Sequence, residues 1–420
     1  MPHPLEVSAS GSPKIFYVWY ILGACFVILF FNSGARIAFS VLFNPMLADL
    51  GWKRGAISSA FFLHMTVFGL SLVVVGRLYD RHGPQWVLII ATLFLTVGYT
   101  LTAWITELWQ FYLAYGVLAA IGIGGTSVPL VAALMSKWFH KWRGAAISLT
   151  LCGSALGQFI LVPLLTRFLG YYDWRAAYLV IGGVVLIVNI TLVVTIIRGD
   201  PESMGEKPFG DDDAAALREA SPPQLARDFT LSEALRTRSL WLFLMVMFVC
   251  GGGDFLISTH LIPWVTDYGV AVETAGDMLA WYGLLSMMGL LVVGPASDLI
   301  GNKMPIALTF VIRIILFVLV LQRQSPAMFY TFALAFGFTH LMTAPLTPTL
   351  VGKLYGFSNV GVIAGLVTTI HHLSGGFWAY VGGLSFDLTG SYHLAFIISA
   401  IMALAALVCC LFIREERQAH

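Results

Sequence analysis

Charge is what this sequence has least of. Only 11% of its 420 residues are charged, whereas 58% are hydrophobic, and the mean hydropathy is +0.85. A water-soluble domain could not cover so much apolar surface with so few charges, so the composition predicts an integral membrane protein. The formal net charge of +1 also excludes a strongly basic nucleic-acid-binding protein.

Patterns for metal, nucleotide or disulfide chemistry are also missing. The five cysteines all fall in apolar runs, and none has the spacing of a metal site or a disulfide framework: Cys25, Cys152, Cys250, Cys409 and Cys410. They are expected to be small buried residues. We predict no metal, no cofactor and no catalytic residues, and hence no enzyme. The polar start, "MPHPLEVSASGSPK", lacks the basic region of a signal peptide, so the first apolar run is expected to stay in the protein.

Long apolar runs are what the sequence has instead. A membrane-spanning helix needs about 20 apolar residues, and twelve runs qualify: 17–46, 54–79, 84–104, 108–136, 144–167, 175–197, 239–266, 274–297, 304–322, 326–352, 359–385 and 391–413. One polar segment, rich in proline and acidic residues, separates the sixth run from the seventh. The predicted organisation is an N-terminal six-helix bundle (1–198), a cytoplasmic linker (199–238) and a C-terminal six-helix bundle (239–420).

Orientation follows from the lysines and arginines, which favour cytoplasmic loops. If both termini lie in the cytoplasm, only five of the 23 lysines and arginines fall in external loops: Lys53, Arg54, Arg167, Arg175 and Arg323. Two more lie within spans, and the remaining 16 are on the inner side. The bias predicts a multi-pass protein of the cell (inner) membrane with both termini in the cytoplasm.

The two halves of the chain repeat each other. "VGRLYDRHG" (75–83) ends predicted helix 2, and "VGPASDLIG" (293–301) ends predicted helix 8, with Gly76 and Asp80 matched by Gly294 and Asp298. The offset of 218 residues also joins "DLG" (49–51) to "DYG" (267–269). Two parallel six-helix repeats resemble the architecture of the major facilitator superfamily. The resemblance implies an all-α integral membrane fold of 12 transmembrane helices in two pseudo-symmetric six-helix bundles.

The loop after helix 2 supports the resemblance. "GRLYDRHG" is similar to the superfamily's loop between helices 2 and 3, which has a glycine, an aspartate and flanking arginines at this spacing. It implies that Gly76, Asp80 and Arg81, with Asp298 in the second repeat, act at a cytoplasmic gate.

A narrower resemblance points to the monocarboxylate transporters. "WFHKWRGAAISLTLCG" (138–153) resembles that family's signature before helix 5, with matches at Phe139, Lys141, Arg143, Ala146 and Gly153. Other family features are absent: the acidic motif before helix 1 and the Asp and Arg of helix 8, where "YGLLSMMGLLVVG" (282–294) carries no charge. The family's helix 1 lysine falls within one position of Arg36. The chain therefore resembles bacterial relatives of these transporters with a rearranged set of charges.

Charges inside the spans are the main candidates for a site. Asp254 is the one acidic residue in a span interior, and Arg36 and Arg313 are the bases. A charge at mid-membrane costs about 2.5–3.5 kcal/mol, so such residues are usually functional. The repeat offset carries Arg36 onto Asp254, which predicts that the two attract each other when Asp254 is ionised. When Asp254 is protonated, Arg36 would be free to bind a carboxylate, which couples one proton to one monoanion.

Neighbouring polar residues complete the predicted site. Asn32 lies one turn before Arg36 and is expected to contact substrate, as are His260, Tyr282 and His371. His64, His340 and His372 have less support. Arg313 falls on helix 9, which is usually peripheral in the superfamily, so it is expected to fill a gap between helices or bind lipid. The glycines at 251–253 allow either close approach of a substrate or of helix 1, or helix packing.

The resemblance and the charges together predict a secondary transporter that works by alternating access. Its expected partners are a small organic anion, protons and the lipid bilayer, with no nucleic acid, and it is expected to function as a monomer. An anion antiporter of the oxalate/formate kind, an exporter of drugs or amphipathic compounds, and a receptor that binds the anion without moving it are the alternatives. The sequence does not name the anion.

Overall fold

The computed structural model describes residues 17–140, 142–205, 208–210, 229–356 and 359–413. Within these ranges 12 helices are long and apolar enough to cross a membrane. The predicted all-α fold class and number of spans are confirmed. The helices are α1 (Val18–Leu50), α2 (Arg54–His82), α3 (Pro84–Thr102), α4 (Leu108–Trp138), α5 (Arg143–Phe168), α6 (Trp174–Thr195), α7 (Arg238–Thr266), α8 (Val272–Ile300), α9 (Lys303–Gln322), α10 (Pro326–Tyr355), α11 (Val360–Thr389) and α12 (His393–Phe412).

The fourth helix of each repeat is interrupted. In α4, a π-helical stretch (Tyr112–Ala119) leads to a break at Thr126 and Ser127, and the helix resumes at Val128. In α10, a first segment (Pro326–His340) ends before a second (Thr343–Tyr355). Each second segment has a proline near its start, which cannot continue the hydrogen-bond ladder of the first. In α10 the break leaves His340 as the last residue of a helical segment.

Each set of six helices packs around apolar cores of its own. In α1–α6, the ring of Phe39 stacks on Phe61 and Tyr115 at centroid distances of 5.0 and 5.1 Å. In α7–α12, Trp264 packs edge-on against Phe329 and Phe396, at 4.9 Å each. These side chains are all buried. Aromatic contacts of this kind contribute about 0.5–1.5 kcal/mol each beyond the area they bury, so they keep each set of helices rigid.

Glycines let equivalent helices approach closely in the two repeats. A Cβ at Gly157 in α5 would overlap the backbone carbonyl of Phe30 in α1, and a Cβ at Gly251 in α7 would overlap that of His371 in α11. The next glycine, Gly252, lies against Trp378 of α11. Gly251 and Gly252 are thus explained by helix packing, and the helix that approaches them is α11 instead of α1, whereas a Cβ at Gly253 would meet only ordinary contacts.

The two sets of helices are joined on one side of the molecule. We call the side that holds Val18 and Phe412 the terminal face, and the opposite side the distal face. At the distal face, Arg54 binds the Asp267 carboxylate through two hydrogen bonds of 2.6 and 2.7 Å and donates a third, of 2.8 Å, to the Tyr392 hydroxyl. Arg54 belongs to the first set and its partners to the second, so these bonds hold the distal face closed.

In the part of the chain that the structure describes, the contacts between the two sets lie toward the distal face. On the distal side, the Asn44 amide donates to the Thr266 hydroxyl at 3.0 Å, and α2 packs on α11 as far as Gly69, whose neighbour is Thr369. Closer to the terminal face, α2, α5, α8 and α11 each have a glycine with open space where a Cβ would project: Gly76, Gly144, Gly294 and Gly361. The described residues therefore show a state that is closed at the distal face, with free space beside these four glycines toward the terminal face.

Arg54→Gln is expected to loosen the distal closure. The substitution removes a charge-assisted pair that is only partly exposed, with side-chain exposures of 11% for Arg54 and 28% for Asp267. A loss of about 1 kcal/mol would raise the population open at the distal face about fivefold. The measurement is the rate at which Ser40→Cys, buried below this contact, reacts with an impermeant maleimide added from the distal side. Arg323→Gln, an exposed arginine of the same face, is the control, and equal rates in both variants would contradict the gate.

Candidate functional site

Arg36 lies in the middle of α1 and faces a small cavity between the two sets of helices. The guanidinium carbon is 5.9 Å from the centroid of the Phe255 ring. Among the residues that the structure describes, none forms a hydrogen bond or an ion pair with Arg36. The cation therefore faces the cavity without a counter-ion. The cavity is lined by Arg36, Ile37, Phe39, Ser40, Phe61, Gln158, Phe255, Ser258, Thr259 and His340.

Several polar atoms of the first set are buried without a hydrogen-bond partner in the described part of the chain. Among them are the Tyr115 hydroxyl and Nε2 of His64. The two rings stack with centroids 4.6 Å apart, and Nδ1 of His64 lies 2.8 Å from the carbonyl oxygen of Tyr115. A buried unpaired polar group costs about 1–3 kcal/mol, and such groups are typical of places that receive a polar ligand or water.

Asp254 pairs with Arg313 in this structure, which corrects the predicted pairing with Arg36. Nη2 of Arg313 donates to Oδ1 of Asp254 at 2.5 Å, and both side chains are almost fully buried, with exposures of 2% and 1%. Arg313 also donates to the Thr339 hydroxyl at 3.1 Å and to the carbonyl oxygen of Cys250 at 3.2 Å. Arg313 is thus neither peripheral nor a lipid ligand, because its guanidinium points into the second set of helices and holds the Asp254 carboxylate.

Two histidines and a tyrosine extend this buried pair toward the cavity. Nε2 of His371 lies 3.1 Å from Oδ2 of Asp254. Nδ1 of His340 lies 3.1 Å from Oδ1 of Asp254 and 2.8 Å from the hydroxyl of Tyr282. The structure therefore brings the predicted residues Asp254, Tyr282 and His371 together, with His340 as the link to the cavity.

Two other predicted substrate contacts are engaged elsewhere. Oδ1 of Asn32 accepts a hydrogen bond of 3.1 Å from Asn189 of α6, and its side chain is buried between helices of the first set. His260 has Nε2 at 2.7 Å from the carbonyl oxygen of Ala379 and Nδ1 at 3.0 Å from the Tyr392 hydroxyl. Through Tyr392, His260 is linked to Arg54 at the distal closure. Neither residue lines the cavity at Arg36.

The predicted gate residues lie where α2 and α8 reach the terminal face. Gly76 and Arg81 are exposed there, and the space beside Gly76 is open. The side chains of Asp80 and Asp298 lie outside what the structure describes.

Arg313 and His340 are the residues whose importance the sequence analysis underestimated. One signal was available: a lone acid inside the spans must have a partner, and two bases were present to supply it. The repeat offset favoured Arg36 as the partner of Asp254, because the offset compares equivalent positions of the two repeats. Equivalent positions in α1 and α7 belong to different halves of the molecule, however, and need not be in contact. His340 had no sequence signal, because its place depends on the break in α10.

The group of side chains around Asp254 does not favour a metal ion. Cys250, Asp254 and His371 offer ligand atoms within 4.8 Å of one another. Arg313 already neutralises the carboxylate, and its Nη1 lies 3.6 Å from Sγ of Cys250. A permanent cation at this position repels a second one, so the cluster is better described as a charge and hydrogen-bond network.

Sequence relatives of the chain are transporters. It is 23% identical over 382 residues to the uncharacterized MFS-type transporter YcxA of Bacillus subtilis, covering 90% of each chain. It is also 23% identical over 423 residues to monocarboxylate transporter 12 of Rattus norvegicus, covering 94% of this chain and 84% of that protein. Monocarboxylate transporter 11 of Homo sapiens is 24% identical over 94% of this chain and 83% of its own length.

Solved structures of transporters share the fold. The nucleoside transporter NupG superposes with a TM-score of 0.74 at 11% identity, over 94% of this chain and 99% of that one. The D-xylose–proton symporter superposes with a TM-score of 0.73 at 14% identity, over 96% and 99%. The model of the Major Facilitator Superfamily matches residues 25–276 and 248–420. Together with the 12 spanning helices, this match establishes that the chain belongs to the Major Facilitator Superfamily and is a multi-pass membrane transporter.

Proposed function

We propose that this transporter carries a small organic monoanion, a monocarboxylate, together with protons. The observation that carries the proposal is Arg36, a permanent cation that faces the cavity between the two sets of helices without a partner among the described residues. An unpaired guanidinium in a low-dielectric cavity is unfavourable unless an anion joins it, and its planar fork fits a carboxylate. Relatives named as monocarboxylate transporters support the same substrate class.

The walls of the cavity favour a compact substrate with an apolar part. Phe39, Phe61 and Phe255 supply apolar surface, and Ser40 and Ser258 supply hydroxyls beside it. Tyr115 and His64 do not line the cavity but stack on Phe39 and Phe61, which do, and each has an unpaired polar atom among the described residues. A single cation against apolar walls discriminates against dicarboxylates, because a second carboxylate would be buried without a partner.

Alternating access supplies the mechanism. The structure is closed at the distal face through Arg54, and we propose that it represents the state open toward the terminal face, where glycines of α2, α5, α8 and α11 have free space beside them. We take the terminal face to be cytoplasmic because most of the lysines and arginines lie on that side. Both termini are then in the cytoplasm. Residues 1–198 and 239–420 are proposed to rock as units joined by the linker 199–238, in a protein that works as a monomer.

Anion antiport, of the oxalate/formate kind, uses the same cavity and is the second candidate. Antiport would be favoured if the binding site returned to the opposite side of the membrane only with a second anion bound, and not with a proton. An exporter of cationic drugs is disfavoured, since the free charge in the cavity is positive.

The test is uptake by purified protein in proteoliposomes, with labelled monocarboxylates, dicarboxylates and organic cations under an inward proton gradient. We expect accumulation of a monocarboxylate that collapses when a protonophore removes the gradient. Accumulation that needs an internal anion and not a proton gradient would establish antiport. Movement of cations alone would refute the proposal.

A further inference from the structure

Asp254 is occupied on every side by donors. Oδ1 faces Nη2 of Arg313 at 2.5 Å and Nδ1 of His340 at 3.1 Å, while Oδ2 faces Nε2 of His371 at 3.1 Å and Sγ of Cys250 at 3.5 Å. The guanidinium is permanently charged and is itself held by Thr339 and the Cys250 carbonyl. A carboxylate in such surroundings keeps its negative charge, because protonating it would leave Arg313 buried without a counter-ion. The proton that accompanies the anion must therefore bind elsewhere.

His340 is the titratable group that touches both the carboxylate and the cavity. Its side chain is 13% exposed and lines the cavity with Arg36. Nδ1 lies between Asp254 and the Tyr282 hydroxyl. The residue also ends the first segment of α10, where the negative end of the helix dipole favours a cation. A proton added to this imidazole gains a carboxylate as a hydrogen-bond acceptor and remains within reach of the cavity.

The other histidines of the membrane region are placed less well for this role. His64 and His260 lie against backbone carbonyl oxygens, and His372 lies 2.8 Å from the carbonyl oxygen of Thr368 on its own helix. His371 contacts Asp254 but is not among the residues that line the cavity at Arg36. The charged and titratable groups that face His340 are Arg36 from α1, Cys250 and Asp254 from α7, Tyr282 from α8, Arg313 from α9 and His371 from α11.

We propose that His340 binds the coupling proton and that Asp254, fixed by Arg313, serves as its counter-ion. This inference rests on the proposed function.

The charges explain why proton and anion move together. With His340 and His371 neutral, the empty site carries the single positive charge of Arg36, since Asp254 and Arg313 cancel. With a proton on His340 and a monoanion at Arg36, the total is again one positive charge. The anion alone or the proton alone would change the total, so the state that crosses most readily is either empty or doubly loaded.

The experiment compares His340→Gln with the wild-type protein in proteoliposomes. In one-to-one symport, a gradient of one pH unit accumulates the anion about tenfold. We expect His340→Gln to lose this accumulation while labelled anion still equilibrates, more slowly than in the wild type and at a rate that no longer depends on pH. His372→Gln replaces a neighbouring membrane histidine bonded to its own backbone and is expected to keep the accumulation. Loss of accumulation in His371→Gln with retention in His340→Gln would overturn the proposal, as would wild-type accumulation by His340→Gln.

Proton uptake by the purified protein gives a second, independent measurement. When the transported monocarboxylate is added to wild-type protein in weak buffer, the protein is expected to take up about one proton per anion bound. A pH dye reports this uptake. His340→Gln is expected to bind the anion without taking up protons. If that variant does not fold, Tyr282→Phe removes the hydroxyl partner of Nδ1, and an unchanged pH midpoint of uptake would count against His340. If wild-type protein moves no monocarboxylate, the proposed function fails, whatever the histidine variants do.

Discussion

Arg36→Gln is expected to reduce monocarboxylate uptake at least a hundredfold without destabilising the protein. The substitution removes the single unpaired cation of the described cavity, so a bound carboxylate would be buried without a counter-charge, which costs several kcal/mol. Because no described residue bonds to Arg36, folding should lose nothing. The melting temperature in detergent is expected to stay the same or rise, as an uncompensated buried charge has been removed. The measurements are the initial rate of labelled uptake and thermal unfolding of the same preparation.

Two further variants sharpen this test. Arg36→Lys keeps the charge but loses the planar fork, so about a tenfold loss of affinity is expected. Arg323→Gln removes an exposed arginine of the distal face and should leave uptake unchanged. Normal uptake by Arg36→Gln would mean that the arginine is structural, and a large fall in its melting temperature would mean that it has a partner in the folded protein.

Arg313→Gln is expected to show the opposite pattern, with a severe loss of folded protein. The substitution leaves Asp254 as a buried carboxylate without its guanidinium, and breaking one side of a buried ion pair costs about 3–5 kcal/mol. Asp254→Asn is expected to have a similar effect, since Arg313 is then the unpaired charge. The measurements are the yield of monodisperse protein and its melting temperature in detergent.

The double variant Asp254→Asn with Arg313→Gln is the matched control. Removing both charges leaves two neutral amides that can hydrogen-bond to each other and to Thr339, so most of the lost stability should return. Transport should not return, because His340 has lost its counter-ion. If the two single substitutions each cost less than about 1 kcal/mol, or if their effects simply add, the ion pair does not hold the second set of helices together.

The two membrane-embedded arginines thus have separate tasks. Arg36 has no described partner and faces the cavity, whereas Arg313 has a buried carboxylate, a threonine and a carbonyl oxygen. In the monocarboxylate transporters that the sequence resembles, an Asp and an Arg lie on helix 8, where the corresponding stretch of this chain, residues 282–294, has no charge. Asp254 and Arg313 place such a pair on α7 and α9 instead. The rearranged set of charges inferred from the sequence therefore has a structural counterpart in the second six-helix set.

The sequence by itself determined the membrane class, the twelve spans and the two-repeat architecture. These properties follow from local signals: runs of about 20 apolar residues, a polar linker and a constant repeat offset. It also indicated Arg36 and Asp254 as candidate site residues, because a charge inside an apolar run is conspicuous wherever it lies in the fold.

Tertiary structure alone decided which charges meet. Arg313 reaches Asp254 across 59 positions of sequence, and nothing local to either residue distinguishes that pair from Arg36 with Asp254. The position of His340 depends on a break in α10, and the roles of Asn32 and His260 depend on neighbours from α6, from α11 and from Tyr392 at the start of α12. Repeat symmetry predicts equivalent positions, but contact depends on how the helices face one another, and that is set by packing over the whole molecule.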